Sequence, residues 1–214
     1  MSKKLNSLIS EAYEFQVCAF FNKWIKSYYH IDHFAILIVL PDDNILHVST
    51  NSLLVKHYNQ MNFIQHDYAM NPAMYKNWPY YPWDCSDDII TSKAVSFRKN
   101  QWGLNAGTNF VRKIKTDQGE FFIIYAVATH RNGELAKYHF TCNANAIFEI
   151  GDFSYNNLRH IFQENTFYNL PKIETFKFFS AGISINNNGQ KIPGKLINFY
   201  SDEPRHQPQL TLVK

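Results

Sequence analysis

The sequence predicts an α+β fold, an α/β/α sandwich in which helices cover both faces of a central antiparallel sheet. Three pairs of apolar segments joined by turn residues are typical of β-hairpins. Three or four other segments have apolar residues at three- and four-residue intervals, the pattern of amphipathic helices. Hydrophobic residues make up 45% of the chain, enough for a substantial core. Because an apolar sheet face must be covered, helices on the sheet faces are the arrangement we expect.

The chain is predicted to begin with a helix and a hairpin. Apolar residues recur at helical spacing from about Ser2 to Lys26. The apolar run HFAILIVL, the turn PDDN and the segment ILHVST then predict a hairpin whose first strand is buried on both faces. Thr50 is the expected cap of a helix that starts near Asn51 and continues through SLLVKHYNQ.

The next segment, from Met61 to Asp84, is predicted to be a long irregular loop because three prolines interrupt it. Loops of this length are usually functional or disordered, and the many aromatic residues argue against disorder. We therefore expect an ordered cover over a site. The segment SDDIITSKAVSF after it is predicted to be a short helix capped by Ser86 or Asp87.

The remaining elements are two hairpins and a helix. The segments GTNFVRKI and FFIIYAVAT, separated by KTDQGE, predict the second hairpin, and SYNNLRHIFQEN predicts a helix. A third hairpin, FKFFSAGISI and GKLINFY around NNNG, is expected within residues 165–214 as a C-terminal extension. Residues 1–214 are expected to form a single domain.

Charge and cysteine content exclude several classes of function. The net charge of +3, from 21 basic and 18 acidic residues, is too even for a nucleic-acid-binding face. Cys18, Cys85 and Cys142 form no C-x-x-C pair, and His139 with Cys142 lacks a second pair, so no metal or cofactor is expected. The chain has neither a signal-peptide pattern nor a membrane-length apolar run, which predicts a cytoplasmic protein without membrane contact.

Aromatic residues, at 16%, are about twice as frequent as usual. In VKHYNQMNFIQHDYAMNPAM they surround a single acidic residue, Asp67, and in NWPYYPWDCSDD they surround a second polar cluster. A carboxylate among aromatic rings costs several kcal/mol unless it is paired. These segments therefore predict the walls of a pocket for a small, mostly apolar ligand. Asp67→Asn is then expected to weaken ligand binding more than the unliganded fold. The alternatives are that Asp67 caps a turn or pairs with Lys56 or Arg98.

In order and spacing, these residues resemble the sensor domains of LuxR-type quorum-sensing regulators, which bind acyl-homoserine lactones between sheet and helices. The resemblance covers roughly Trp24 to Ala128. It includes YYPWD and the glycine-led hairpin QWGLNAGTNFVRKIKTDQGEFFIIYAVA. It implies a PAS/GAF-like sandwich and the following ligand-binding residues: Leu54, Tyr58, Phe63, Asp67, Trp83, Gly107 and Tyr125.

The resemblance also implies individual roles. Asp67 would accept an amide N–H of the ligand, Tyr58 would donate to a ligand carbonyl, and Trp83 would form a wall or stack on the head group. Tyr125 takes the place of a hydroxyl-bearing strand residue, if strand alternation turns it inward. Leu54 stands where the family has a tryptophan and can donate no hydrogen bond. Purely structural roles, in the core, in a loop anchor or in a bend, remain alternatives.

The function implied is sensing of an amphipathic, acyl-type signal, with no enzymatic activity. The tail KLINFYSDEPRHQPQLTLVK resembles the stretch that leads into the family's helix-turn-helix, so a sensor domain without its DNA reader is expected. Two alternatives are an acyl-processing enzyme with Cys85 as nucleophile and an interaction module. The module would form a homodimer, or a heterodimer with a full-length regulator, through the first helix.

Overall fold

A computed structural model describes residues 5–26, 31–86, 89–174, 184–185 and 191–192. Within these residues a six-stranded sheet is formed by β1 Leu5–Asn6, β2 His33–Val39, β3 Ile45–Ser49, β4 Tyr80–Pro82, β5 Ala106–Thr116 and β6 Gly119–Thr129. The order across the sheet is β1-β3-β2-β6-β5-β4. The two-residue β1 is parallel to β3, and the other neighbours are antiparallel.

Helices cover both faces of this sheet, which confirms the predicted α+β sandwich. They are α1 Ser7–Trp24, α2 Ser52–Gln60, α3 Phe63–His66, a 3-10 helix at Tyr68–Met70, α4 Pro72–Asn77, α5 Ile89–Trp102, α6 Gly133–Cys142 and α7 Ala144–Gln163. The helices α1, α6 and α7 pack on one face, and α2 to α5 pack on the other. None of the helices described here is long and apolar enough to cross a membrane.

Strand β2 shows why its sequence is a continuous apolar run. Every residue of β2 is buried, and successive side chains enter opposite layers. Phe34, Ile36 and Ile38 belong to the cluster under α1 and α7, whereas Ala35 and Leu37 belong to the cluster under α2 to α5. A strand covered on both faces has no solvent side, so polar residues do not alternate with apolar ones.

The face under α2 to α5 carries unusually small residues at the centre of the sheet. In one cross-strand row Ala35 lies opposite Ala126, which lies opposite Asn109. In the adjacent row Ala128 lies between His33 and Gly107. Because opposite residues in a sheet point to the same side, these short side chains leave space above the sheet that bulkier residues would fill. This floor of small side chains positions the site described below.

Several predicted helices and strands are present in the structure, although they begin or end at other residues than predicted. The first two hairpins lie where the apolar runs predict them, as β2–β3 and β5–β6. The first helix begins at Ser7 because Leu5–Asn6 pairs with β3. The cap of α2 is Asn51, whose side chain accepts a hydrogen bond from the Leu54 N–H at 2.9 Å. Thr50, the predicted cap, instead accepts from the backbone N–H of Phe34.

The loop predicted between Met61 and Asp84 is largely made of short, capped elements. Asp67 caps the 3-10 helix, and Asn71 caps α4 with Pro72 as its first residue. Each element is too short for a hydrophobic period, so the sequence pattern looks irregular. The predicted short helix after this segment is α5, which extends to Trp102; of its two predicted caps, Asp87 lies outside the described residues.

In the C-terminal half, one helix was not predicted from the sequence, and part of the predicted third hairpin lies outside the described residues. The predicted helix SYNNLRHIFQEN is the second half of α7, and neither the start of α7 nor α6 was predicted. In the predicted third hairpin, Ser184–Ile185 pairs antiparallel with Lys191–Ile192. Residues 175–183, 186–190 and 193–214, which include the segment GKLINFY, lie outside the described residues.

Candidate functional site

A cavity of about 60 Å³ lies above the floor of small side chains, between the sheet and helices α2, α3 and α5. Leu54, Val55, Met70 and Trp83 contribute apolar walls. The polar side chains that line it are His33, His47, Tyr58, Asp67, Arg98 and Asn109. The site therefore combines polar side chains with apolar walls and has little free space in this conformation.

Asp67 is the centre of the polar cluster. It joins α3 to the 3-10 helix, and its side chain is completely buried. One carboxylate oxygen, Oδ1, accepts the Ala69 N–H at 2.9 Å. The other, Oδ2, accepts Nη1 of Arg98 at 2.8 Å and the hydroxyl of Tyr58. Both structural alternatives for this residue, a turn cap and an ion pair with Arg98, are thus present at the wall of a cavity.

Arg98 reaches this cluster from α5, where Thr91, Ala94 and Arg98 are buried at intervals of three and four residues. Its guanidinium carbon lies 4.5 Å from the centre of the Trp83 ring, a cation–π contact. Burial alone would lower the pKa of Arg98, but Tyr58 and Asp67 outweigh burial and raise it. Arg98 therefore stays charged. Burial is also the main reason that the pKa of Tyr58 is raised, so its hydroxyl remains a donor.

Trp83 forms one wall of the cavity and also anchors the segment around β4. Its indole N–H donates to Oδ1 of Asn109 at 2.8 Å, so this donor is already used within the protein. Gly107 lies directly beneath it, and a Cβ at that position would overlap the Trp83 ring. Gly107 is thus required by close approach of an aromatic ring.

The structure places Leu54, Tyr58, Asp67 and Trp83 together on the lining of one cavity, with Gly107 behind Trp83. Phe63 has a different place. Its ring packs 5.3 Å from that of Tyr58 and 5.5 Å from that of Phe97, measured between centroids. It lines a separate open groove of about 820 Å³ between α3 and α5 and does not line the inner cavity.

The prediction that Tyr125 faces the pocket is wrong, because strand alternation turns it to the opposite face. There its hydroxyl donates to Oδ1 of Asp152 on α7 at 2.7 Å, and Arg112 binds both oxygens of the same carboxylate. Ala126, the next residue on β6, lines the cavity. Tyr125 therefore fastens α7 to the sheet.

Four polar residues of the cavity were not predicted as ligand-binding residues: His33, His47, Asn109 and Arg98, the last of which was considered only as an ion-pair partner of Asp67. Burial is the main cause that lowers the pKa of His33 to about 4 and that of His47 to about 3, so both rings are neutral at pH 7. His47 lies in the otherwise apolar run of β3, on the side facing the cavity. A polar residue at an inward position of a buried strand was the available signal.

Cys85 does not have the properties of a nucleophile. Burial, followed by the nearby charge of Asp67, raises the pKa of its thiol to about 11. Because the thiolate is the reactive form, we expect Cys85 to react with a thiol reagent more slowly at pH 7.5 than the exposed Cys142. Alkylation with iodoacetamide followed by peptide mass spectrometry measures both rates. Faster alkylation of Cys85 than of Cys142 would support the hypothesis of an acyl-processing enzyme.

Among the described residues, no group of three or more His, Cys, Asp or Glu side chains is placed to hold a metal ion. His139 and Cys142, which have metal-like spacing in the sequence, both lie on α6. Their environments differ, because His139 is buried and Cys142 is exposed.

The sequence matches no protein-family model, and it has no significant match among curated proteins. Among the solved structures similar to this fold are two of the same protein. The structure of Escherichia coli SdiA has a TM-score of 0.45 and 12% identity, covering 80% of this chain and 68% of SdiA. SdiA in complex with octanoyl-rac-glycerol has a TM-score of 0.44 and 12% identity, covering 70% of this chain and 60% of SdiA. A likeness at this level carries no inference about the ligand or activity of this chain.

Proposed function

We propose that this chain is a small-molecule sensing domain, of the kind found in LuxR-type regulators, and that it binds an amphipathic acyl-type molecule. The supporting observation is the buried Asp67–Arg98–Tyr58 cluster at the wall of a cavity that is also lined by apolar side chains. Ligand sites combine apolar lining with a few convergent polar groups in this way. The spacing of Tyr58, Phe63 and Asp67 supports the same function.

The small volume of the cavity implies that binding moves part of the protein. Sites for ligands of this size usually measure about 300–1,000 Å³, against about 60 Å³ here. Part of the cover consists of α3 and the 3-10 helix, which are four and three residues long. The floor belongs to paired strands at the centre of the sheet. We propose that the cover shifts outward when the acyl tail enters, while the floor stays in place.

Asp67 can accept a further hydrogen bond from a ligand in addition to those it accepts within the protein. A carboxylate has about four acceptor positions, and three are used by Ala69, Arg98 and Tyr58. The remaining position, on Oδ1, would accept an N–H or O–H of the head group. Leu54 would contact the apolar part of the ligand.

A thermal-shift titration tests the proposal with two probes of equal acyl length, 1-octanoyl-glycerol and N-octanoyl-homoserine lactone. We expect at least one to raise the melting temperature, since a ligand at a hundredfold excess over its Kd adds about 2.7 kcal/mol to the free energy of unfolding. Ala126→Val, which narrows the cavity floor, should reduce the shift. Val127→Ile, whose side chain belongs to the opposite cluster, is the matched control and should retain it. No shift with either probe would contradict the proposal.

The interaction hypothesis has one observation in its favour. Phe15 on α1 is 88% exposed, and α1 is the helix through which dimerisation was predicted. A single exposed apolar residue is common in monomers, so this supports the hypothesis weakly. Light scattering on the purified protein, with and without the substitution Phe15→Ser, would show whether α1 mediates a dimer.

A further inference from the structure

Arg98 carries two buried nitrogens that have no hydrogen-bond partner among the described residues. Its Nη1 donates to Oδ2 of Asp67 at 2.8 Å and to the hydroxyl of Tyr58 at 3.2 Å. The two open nitrogens are Nε and Nη2, in a side chain that is 5% exposed and lines the inner cavity. Buried polar atoms in folded proteins almost always have a partner. Open donors at a cavity therefore point to a ligand group that accepts from them.

These two nitrogens form the edge of the guanidinium group that fits a carboxylate. The N–H groups of Nε and Nη2 are parallel, and the two oxygens of a carboxylate accept them together. The same chain shows this arrangement on the opposite face of the sheet. There, Nε and Nη2 of Arg112 donate to the two oxygens of Asp152 at 3.1 Å and 2.8 Å. Among the described residues, Arg98 has no such carboxylate on the corresponding edge.

The guanidinium group of Arg98 is already held in one position. Its carbon lies 4.5 Å from the centre of the Trp83 ring and 5.5 Å from the centre of the Tyr58 ring. Its Nη1 is fixed by Asp67. A planar group that is held in this way loses little conformational freedom when a ligand binds. The open edge is therefore preorganised for a planar head group.

A ligand carboxylate would bring a second negative charge close to Asp67. Two carboxyl groups in one buried site do not both ionise readily, and one of them retains a proton. Oδ1 of Asp67 accepts only the Ala69 N–H, so it has an open position for a shared proton. The neutral rings of His33 and His47, on the same cavity, offer two further positions. Binding of a carboxylate is therefore expected to take up a proton.

The other ionisable groups near the cavity do not supply this proton at pH 7. Tyr58, Tyr81 and Cys85 stay protonated, since burial is the main cause that raises their pKa values. His130 contributes to the lowered pKa of His33, but it is exposed and does not line the cavity. The proton must therefore come from solvent.

We propose that Arg98 anchors a carboxylate head group through Nε and Nη2, so that the preferred ligand is a fatty acid and not an uncharged ester or lactone. This inference rests on the proposed function and adds the chemical class of the ligand. It departs from the resemblance to known sensor domains, which implies a lactone and assigns no part in ligand binding to Arg98.

Isothermal titration calorimetry at pH 7 with octanoate, 1-octanoyl-glycerol and acetate tests the inference. We expect octanoate to bind at least about tenfold more tightly than the ester, because its oxygens are charged acceptors. Acetate, which lacks the tail, should bind much more weakly than octanoate. If the ester binds as tightly as octanoate or more tightly, the inference is overturned and the proposed function stands. Binding of none of the probes, or acetate binding as tightly as octanoate, would overturn both.

The proton taken up on binding is measured by repeating the octanoate titration in phosphate and in Tris buffer. The two buffers have different heats of ionisation, so proton uptake makes the observed binding enthalpies differ. We expect uptake of close to one proton with octanoate and none with 1-octanoyl-glycerol. Equal enthalpies in the two buffers with octanoate would contradict a carboxylate placed beside Asp67.

The substitution Arg98→Lys separates an anchoring role from a structural one. It keeps a cation beside Asp67 but removes the paired N–H groups, so the ratio of octanoate to ester affinity should fall towards one. A general weakening of the fold would lower both affinities and leave their ratio unchanged. Arg112→Lys is the matched control and should retain the ratio, because Asp152 already occupies that edge. An unchanged ratio in Arg98→Lys would contradict the role of Arg98.

The parent protein provides a second test in case Arg98→Lys does not fold. In protein containing isotope-labelled arginine, saturating octanoate should shift the nuclear magnetic resonance signal of one arginine Nε–H group. The signal of Arg112 is identified by its loss in Arg112→Lys, and it should not be the one that shifts. If no other arginine Nε–H signal responds to octanoate, Arg98 is not the anchor.

Discussion

Replacing Asp67 with asparagine is expected to lower the free energy of unfolding by about 3–5 kcal/mol. The substitution leaves the buried charge of Arg98 without its partner, and the Arg98 side chain is only 6% exposed. It also weakens the bonds from Tyr58 and Ala69. The sequence alone suggests that Asp67→Asn affects ligand binding more than the unliganded fold. These bonds revise that expectation, because the same carboxylate holds α3, the 3-10 helix and α5 together.

Urea unfolding of a double-mutant cycle measures this effect. Arg98→Met should cost as much as Asp67→Asn, since it leaves the carboxylate unpaired. The double variant Asp67→Asn/Arg98→Met should be more stable than either single variant, because no unpaired charge remains.

An exposed ion pair provides the control for this cycle. Glu120→Gln breaks the ion pair between Glu120 and Lys113. The Lys113 side chain is 45% exposed and the Glu120 side chain is 32% exposed. This substitution should cost less than about 1 kcal/mol. If Asp67→Asn costs no more than Glu120→Gln, the Asp67–Arg98 pair is not the buried structural element described above.

Acidification from pH 7 to pH 5 is expected to destabilise the protein through His33 and His47. Burial lowers their pKa values to about 4 and about 3 in the folded protein, whereas an unfolded histidine titrates near 6.5. Below pH 6.5 the unfolded chain therefore binds protons that the folded protein does not. The free energy of unfolding consequently decreases as the pH is lowered. At about 1.4 kcal/mol per pH unit, each histidine accounts for roughly 2 kcal/mol by pH 5.

Urea unfolding at pH 7, 6 and 5 measures this loss. Carboxylates also titrate near the lower limit, so a variant must isolate the histidine contribution. His47→Phe should remove about half of the histidine contribution to the loss. His160→Gln, at an exposed position on α7, should leave the pH dependence as it is. Equal pH dependence in the parent protein and in His47→Phe would show that His47 is not held neutral by the fold.

The large elements of the fold are predictable from the sequence because their patterns are long. The central strands β2 and β6 contain long apolar runs, and burial on both faces explains the absence of alternation in them. The 3-10 helix and α4 are not predictable in the same way, since each is only a few residues long and begins at a single capping residue, Asp67 or Asn71. Hydrophobic periodicity does not report such elements.

The site was only half predictable. The motif spacing identifies Tyr58, Asp67 and Trp83, which the structure brings to one cavity. Arg98 belongs to RKNQW, which looks like a surface basic patch, and only its phase with Thr91 and Ala94 marks it as inward-facing.

Whether Tyr125 or Ala126 faces the cavity depends on strand register. In a strand that is buried on both faces, two adjacent residues both have apolar surroundings. The sequence pattern therefore does not show which of them faces a given layer. The register of β6 against β2 and β5 settles the question and places Ala126 on the cavity floor.

Photo-crosslinking with a 1-octanoyl-glycerol analogue that carries a diazirine at the end of its tail identifies the residues that contact the ligand. We expect light-dependent labelling of Leu54, Val55 or Met70 on the inner cavity, competed by unmodified 1-octanoyl-glycerol. Labelling confined to Met61 and Phe97 in the open groove, or labelling that the competitor does not reduce, would show that the inner cavity is not the binding site.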